Sequence, residues 1–175
     1  MMRKIQKLSE MFVRAASSLE SPFLLFVRLY WGWQFIETGW GKLGDLGKVT
    51  NYFTSLGIPA PALNAYFISG LEFAGGLLLA IGLGSRAIAF LLAADMAVAY
   101  YLADHDALLS FFSDPDKFYA AAPFTFLVAS LIVLIFGPGK LAFDTLIGKR
   151  FGRPPHQVHA TTPGSLQGSV SVPRP

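Results

Sequence analysis

The chain has 175 residues, of which 53% are hydrophobic and 14% are charged, well below the charged share of about 25% in soluble domains. Together with a mean hydropathy of +0.49, this composition indicates an integral membrane protein without room for a separate soluble catalytic domain. The chain contains no Cys, which excludes disulfide exchange, thiol catalysis, iron–sulfur ligation and covalent haem attachment.

The first 21 residues are predicted to form an amphipathic helix on the cytoplasmic membrane surface. Apolar side chains recur there at helical spacing between basic ones, at Ile5, Leu8, Phe12, Ala15 and Leu19. Such a helix lies in the plane of an anionic leaflet. A soluble coiled segment is the alternative. A cleavable signal peptide is not expected, because the apolar run that follows is too long and contains charged residues.

Four apolar segments predict an all-α, integral membrane four-helix bundle over residues 22–147, and they lie at about 22–40, 63–83, 87–103 and 118–136. Basic residues flank the first span on its N-terminal side, occupy the turn after the second and follow the fourth. By the positive-inside rule, the N and C termini are therefore predicted to be cytoplasmic.

Two segments outside the spans have distinct compositions. In the first external loop, apolar residues at helical spacing predict a short interfacial or re-entrant helix, with Val49, Tyr52, Phe53 and Leu56 on its apolar face. Residues 148–175 are rich in Pro, Ser, Thr and Gly. They are predicted to form a disordered cytoplasmic tail.

Five ionisable side chains lie inside or at the edge of the apolar segments: Arg28, Glu37, Lys42, Glu72 and Asp95. Charges in hydrocarbon are costly, so such residues pair, face a cavity or carry function. Counting about 1.5 Å per residue from the cytoplasmic end of each span places Arg28, Glu72 and Asp95 at similar depths. We predict a buried cluster in which the guanidinium bridges both carboxylates. The alternative is a cluster that only locks the helices together.

Small and aromatic residues share the helix faces of these charges. The residues grouped in this way around the cluster are Trp31, Gly32, Phe35, Gly39, Lys42, Ser69 and Gly76. The glycines predict close helix packing. Direct contact with a ligand is the alternative interpretation of the same residues. Trp31 is either a core residue or a surface on which a ligand ring stacks.

Three stretches of the chain, with their flanking residues, occur in an order that characterises a known family. They are LFVRL at 25–29 followed by FIETGWGK at 35–42, then LEFAGGLLL at 71–79, and finally FGPG at 136–139 with Asp144. This order resembles the DoxX family of small four-helix bacterial membrane proteins. The resemblance covers about residues 23–144.

The resemblance implies a multi-pass protein of the bacterial inner membrane that is an accessory or membrane subunit of a quinone-linked redox system. It is not expected to be a self-sufficient enzyme. Its implied partners are the lipid bilayer, an oxidoreductase subunit and a lipophilic small molecule such as a quinone. Arg28 would hold the polar head of the quinone, and Trp31 or Phe35 would stack on its ring.

Two other functions are compatible with the sequence. The protein could be a structural or assembly factor for membrane partners, or it could transport a small solute or proton as a homo-oligomer. Neither a covalent cofactor nor a metal site is predicted. The net charge of +3 is attributed to membrane orientation, and no nucleic-acid partner is expected.

Overall fold

The computed structural model describes residues 2–150 and, within that range, the side chains of residues 10–12 and 17–148. These residues form helices and no strand, and the helices are α1 (Met2–Gly44), α2 (Leu46–Ser55), α3 (Pro61–Ile81), α4 (Ser85–Leu102), α5 (His105–Leu109), α6 (Pro115–Ala120), α7 (Ala122–Phe136) and α8 (Phe143–Arg150). Residues 151–175, most of the predicted tail, lie outside the described residues. Residues 148–150 were also assigned to that tail, but they belong to the last turn of α8.

The first helix is longer than the sequence predicts. At 43 residues, α1 is about 64 Å long, and it joins the predicted surface helix to the first predicted span without a break. Pro22 lies inside this helix, where it removes one backbone N–H donor. The backbone is helical on both sides of Pro22, so α1 continues through that position. Most side chains of the predicted surface segment lie outside the described residues.

The second and third predicted spans correspond closely to α3 and α4. Among the described residues, these two helices are long and apolar enough to cross a membrane. The turn between them is tight because Gly82 and Gly84 both adopt left-handed backbone angles, with φ of 78° and 60°. The N–H of Gly82 also caps α3 by donating to the carbonyl of Leu78.

The fourth predicted span, 118–136, is not one helix. It is divided between α6 and α7, and Ala121 has an extended backbone with ψ of 133° at the junction. Pro123 explains the break, because its ring would clash with a carbonyl of the preceding turn if the helix were continuous. In the first turn of α7 the same proline costs no hydrogen bond. The remaining apolar helix has 15 residues.

Four helices, α1, α3, α4 and α7, contribute to one apolar core. Val27 and Phe35 of α1 meet Leu79 of α3, while Leu92 of α4 and Val133 of α7 complete the same cluster. The closest pairings are α1 with α3 and α4 with α7. This arrangement leaves a space between the two pairs at the end of the core where α2 lies.

Glycines allow α1 and α3 to approach closely. A Cβ added to Gly39 would lie 2.4 Å from the backbone nitrogen of Phe73, and one added to Gly76 would lie 2.7 Å from the carbonyl oxygen of Gly32. Backbone therefore packs against backbone along this interface, as small residues permit in membrane helices. The contacts also set the register between α1 and α3, which decides where their charged residues meet.

Candidate functional site

A cavity of about 870 Å³ lies at the end of the core that α2 borders. Its walls come from the C-terminal parts of α1 and α4, the N-terminal parts of α3 and α7, and α2. The apolar wall includes Val49, Phe53, Met96, Ala99, Leu102 and Phe126. Lys42, Glu72 and Asp95 bring three charges to the same cavity.

Lys42 and Glu72 form the ion pair of this site. The Nζ of Lys42 lies 2.5 Å from Oε1 of Glu72, close enough for a charge-assisted hydrogen bond. Glu72 is almost completely buried, with 2% of its side chain exposed, whereas Lys42 is 36% exposed. The long stem of the lysine thus carries its charge from the last turns of α1 to a carboxylate inside the core.

Asp95 is the third charged residue of the site. It is buried, with 8% of its surface exposed, and it interacts electrostatically with both Glu72 and Lys42. Two carboxylate oxygens, Oε2 of Glu72 and Oδ2 of Asp95, are buried without a hydrogen-bond partner in the described part of the chain. With both acids ionised, the three residues carry a net charge of −1.

The predicted cluster of Arg28 with Glu72 and Asp95 is wrong. Arg28 is fully buried, but its Nη2 donates to the carbonyl of Leu141 at 2.7 Å. Its Nη1 packs directly against Gly82, in the space that a Cβ at that glycine would occupy. Within residues 2–150, Arg28 forms no ion pair with either acid. It does not line the cavity.

Helix register explains this correction. Gly32 packs against Gly76 and Ala80, and Gly39 packs against Phe73, so the antiparallel helices place Arg28 near Gly82. At 1.5 Å per residue, Arg28 and Lys42 are about 21 Å apart along α1. Depths counted from the ends of apolar segments missed this offset, because α1 begins at Met2, well before its apolar segment, and continues past it to Gly44.

Asp144 connects the segment after α7 to the start of α4. Its carboxylate accepts hydrogen bonds from the backbone N–H groups of Gly84 at 2.8 Å and Ser85 at 2.9 Å. Burial raises the pKa of Asp144, but these N–H donors and the nearby positive charge of Arg28 outweigh it and hold the pKa below its usual value. Arg28 and Asp144 therefore stabilise the end of the core opposite the cavity.

The other predicted site residues divide between cavity and helix interface. Phe35 lines the cavity, and its ring contacts that of Phe126 edge-on at 4.7 Å. Trp31 contacts the same ring at 5.2 Å from outside the cavity lining. Ser69 is buried, with no hydrogen-bond partner for Oγ in the described region. Gly32, Gly39 and Gly76 lie between α1 and α3 and not in the cavity wall.

Sequence reasoning missed several residues of the cavity. Met96, Ala99 and Phe126 line it, but they read as ordinary core residues in an apolar helix. The short helix predicted in the first external loop is present as α2, and its apolar residues form part of the wall. Its amphipathic spacing could have indicated that this helix covers a cavity, since an isolated apolar face needs a surface to cover.

The family model of DoxX matches residues 23–105, which contain the C-terminal half of α1 and all of α2, α3 and α4. This part of the chain is therefore similar to a DoxX domain. It contains every charged residue that lines the cavity described above. The inner membrane protein YqjF of Escherichia coli K12 is 26% identical over 133 residues, which cover 76% of this chain and 98% of that protein. No solved structure matches the chain.

The expected location follows from these comparisons and from the fold. A DoxX domain, an inner-membrane relative and helices of membrane-spanning length together identify a multi-pass protein of the bacterial inner membrane. The lipid bilayer accordingly surrounds α3 and α4. Their exposed faces carry large apolar side chains such as Phe67, Leu77 and Phe90, as hydrocarbon contact requires.

Proposed function

We propose that this DoxX protein binds a quinone in the cavity and serves as an accessory subunit of a membrane oxidoreductase. The observation that carries the proposal is a mainly apolar cavity of about 870 Å³ whose wall includes Lys42, Glu72 and Asp95. Small-molecule sites usually measure about 300 to 1,000 Å³ and are apolar with a few polar groups. Because the chain has no Cys, electron transfer would depend on redox groups of a partner.

The cavity offers complementary surfaces to the two parts of a quinone. Lys42 can donate to an oxygen of the head group, since Glu72 uses only one of its three donors. Phe35 and Phe126 provide aromatic surface for the ring. An isoprenoid tail would lie along Val98 and other apolar residues of α4. Lys42 therefore replaces Arg28 as the proposed contact to the polar head.

The proposal includes a four-span topology in which α1, α3, α4 and the α6–α7 segment cross the bilayer with both termini cytoplasmic. One end of the core brings together Ser21, Arg86 and Lys140, since the N–H of Lys140 donates to Ser21 and Arg86 contacts the end of α7. The cavity end carries Lys42 and Lys48 beside Asp45 and Asp104. More basic residues precede the first predicted span and follow the fourth, and this excess supports a cytoplasmic location for the end with Arg86 and Lys140.

Quinone retained by purified protein tests the proposal. The protein would be extracted gently from bacterial membranes, and its lipids would be analysed by mass spectrometry for quinone. Ala99→Phe should abolish retention, because Ala99 lines the cavity and a phenyl ring would fill it. Ala97→Phe is the matched control, since Ala97 is exposed on the same helix outside the cavity wall. It should retain quinone.

Two results would contradict the proposal. One is wild-type protein without quinone, and the other is equal retention by the Ala97 and Ala99 variants. Arg28→Lys serves as a second control, because Arg28 lies outside the cavity lining and its replacement should leave retention intact in folded protein. Native mass spectrometry of the same extract would detect the partner subunit. Its absence from every extract would remove the accessory-subunit part of the proposal.

A further inference from the structure

The charged groups of the cavity do not satisfy all of one another's hydrogen-bonding atoms. Lys42 satisfies Oε1 of Glu72, but Oε2 of Glu72 and Oδ2 of Asp95 remain buried and unpaired in the described residues. Two further polar residues of the wall donate elsewhere: Thr38 to backbone carbonyls of its own helix, and Asn64 to the carbonyl of Pro59. Lys42 keeps two donors, which the oxygens of a quinone and of a hydroquinone can both accept, so only the carboxylates distinguish the two forms by their need for hydrogen-bond donors.

We propose that this unmet need selects a ligand whose polar head donates hydrogen bonds, so that the cavity binds a hydroquinone more tightly than the corresponding quinone. This inference rests on the proposed function and specifies the form of the ligand. The hydroxyls of a hydroquinone both donate and accept, whereas the carbonyls of a quinone only accept. A hydroxyl in the cavity can donate to the carboxylate of Asp95, which lines the cavity, whereas a carbonyl oxygen cannot.

The burial of Asp95 determines how strongly the cavity should prefer a hydroquinone to a quinone. A charged acceptor that stays unpaired in an apolar cavity bears the full cost of its lost hydration. Asp95 is buried, with 8% of its surface exposed, and it reaches the cavity as part of its wall. A hydrogen bond to a charged group in this setting corresponds to a preference of about tenfold or more in affinity. Asp95 is therefore assigned as the residue that determines specificity.

Paired binding measurements test this assignment. The full-length protein would be placed in nanodiscs of synthetic phosphatidylcholine, and equilibrium binding of decylubiquinol and decylubiquinone would be measured without oxygen, with empty nanodiscs subtracted. Wild-type protein should bind the reduced form about tenfold more tightly. Asp95→Asn should lower this ratio to less than about threefold, because the amide loses the charge and gains a donor for the quinone carbonyl.

Two further variants separate specificity from folding. Asp95→Glu keeps the carboxylate and should retain a clear preference for the reduced form. Met96→Leu changes the adjacent cavity residue at similar volume, so it should alter both affinities by the same factor. Size-exclusion chromatography and circular dichroism would establish that each variant is folded. Loss of the preference in the Glu variant as well as in the Asn variant would count against a requirement for the carboxylate.

The remaining outcomes distinguish this inference from the proposed function. Equal binding of both forms by the wild type would overturn the inference while leaving quinone binding in place. An unchanged ratio in Asp95→Asn would do the same, because it would mean that Asp95 meets its hydrogen-bonding need within the protein. Failure of both forms to bind would overturn the inference and the proposed function together.

Discussion

The pairing of Lys42 with Glu72 shows how a membrane protein can keep a buried carboxylate. The lysine lies near the end of α1, where part of its side chain reaches solvent, while the carboxylate lies inside the core. Desolvation is costly for both charges, so the pair stabilises the fold mainly in comparison with an unpaired Glu72. Arg28 is fully buried instead, where Nη2 donates to the carbonyl of Leu141 while Nε and Nη1 have no hydrogen-bond partner in the described residues.

Lys42→Met should lower the free energy of unfolding by about 1 to 3 kcal/mol, because it leaves the carboxylate of Glu72 buried without a partner. The partial exposure of Lys42 places the effect below that of a fully buried pair. Adding Glu72→Gln should recover much of the loss, since the unpaired charge is then gone. Denaturant unfolding of the four proteins of this double-mutant cycle measures the coupling.

Lys48→Met is the control for that cycle, since Lys48 is an exposed lysine of α2. It should change the free energy of unfolding by less than about 0.5 kcal/mol. Equal stabilities of the Lys42 and Lys48 variants would show that the ion pair contributes nothing to the fold.

At the scale of helices, backbone contact between α1 and α3 determines the geometry of the site. The glycines at this interface bring main chains together, so their positions define one register. That register places Lys42 beside Glu72 and Arg28 beside Gly82. A displaced register would leave buried charges without partners, so packing and electrostatics favour the same arrangement.

Gly76→Ala should lower the free energy of unfolding by about 1 to 3 kcal/mol, because the new methyl group would meet backbone atoms of Gly32 and Ile36. Gly70→Ala, on the same helix, is the control. A Cβ there meets nothing within 4 Å, and alanine favours the helix by up to about 1 kcal/mol. Unfolding in detergent should give the higher free energy of unfolding for the Gly70 variant. A similar loss of stability in both variants would argue against close packing at Gly76.

Asp144 should make the stability of the protein depend on pH. Its pKa is lower in the folded state than in the unfolded chain, so its contribution is present above the ordinary aspartate pKa of about 3.9 and is lost as pH falls through the lower folded value. Asp144→Asn should lower the unfolding free energy by about 1 kcal/mol near pH 7, because one oxygen acceptor for the α4 amides is lost.

The measurement is the difference in melting temperature between wild type and Asp144→Asn as a function of pH. It should shrink as pH falls below about 4, because Asp144 is protonated first in the unfolded chain and, at lower pH, in the folded protein. Asp116→Asn, which replaces an exposed carboxylate of α6, is the control. A difference that stays constant to about pH 2 would show that ionisation of Asp144 does not stabilise the helix cap.

For the molecule as a whole, the two ends of the core have different tasks. One end, with Arg28 and Asp144, ties α1, the α3–α4 turn and the segment after α7 together. The other end, bordered by α2, contains a cavity with unpaired carboxylate oxygens in its wall. Arg28 and Asp144 therefore act in holding the helices together, whereas Lys42 and Glu72 join α1 to α3 and also line the cavity.

The absence of Cys makes the proposed topology directly testable. Ser113→Cys, in the segment between α5 and α6, should react with a membrane-impermeant maleimide added to intact spheroplasts. Gly148→Cys, in α8, should react only after the membrane is opened, because the C terminus is predicted to be cytoplasmic. Both positions tolerate a small side chain, since Ser113 is exposed and a Cβ at Gly148 meets nothing within 4 Å. The reverse labelling pattern would invert the topology.

Much of this protein could be predicted from composition and local pattern. Apolarity indicated a membrane protein, span length located α3 and α4, and motif order indicated DoxX. Each of these properties depends on residues close together in the chain or on totals over the chain. The same is true of α2, whose apolar spacing is visible without knowledge of its neighbours.

The partners of the buried charges depended on tertiary structure. Sequence identified Arg28, Glu72 and Asp95 as important but placed Arg28 in the wrong cluster, because the depth of a residue in one helix relative to another depends on helix length and packing register. Those quantities emerge only when Gly39 meets Phe73 and α1 extends past its apolar segment. Local sequence thus determined the class of protein and most of its helices, whereas contact between distant helices decided which cation meets which acid.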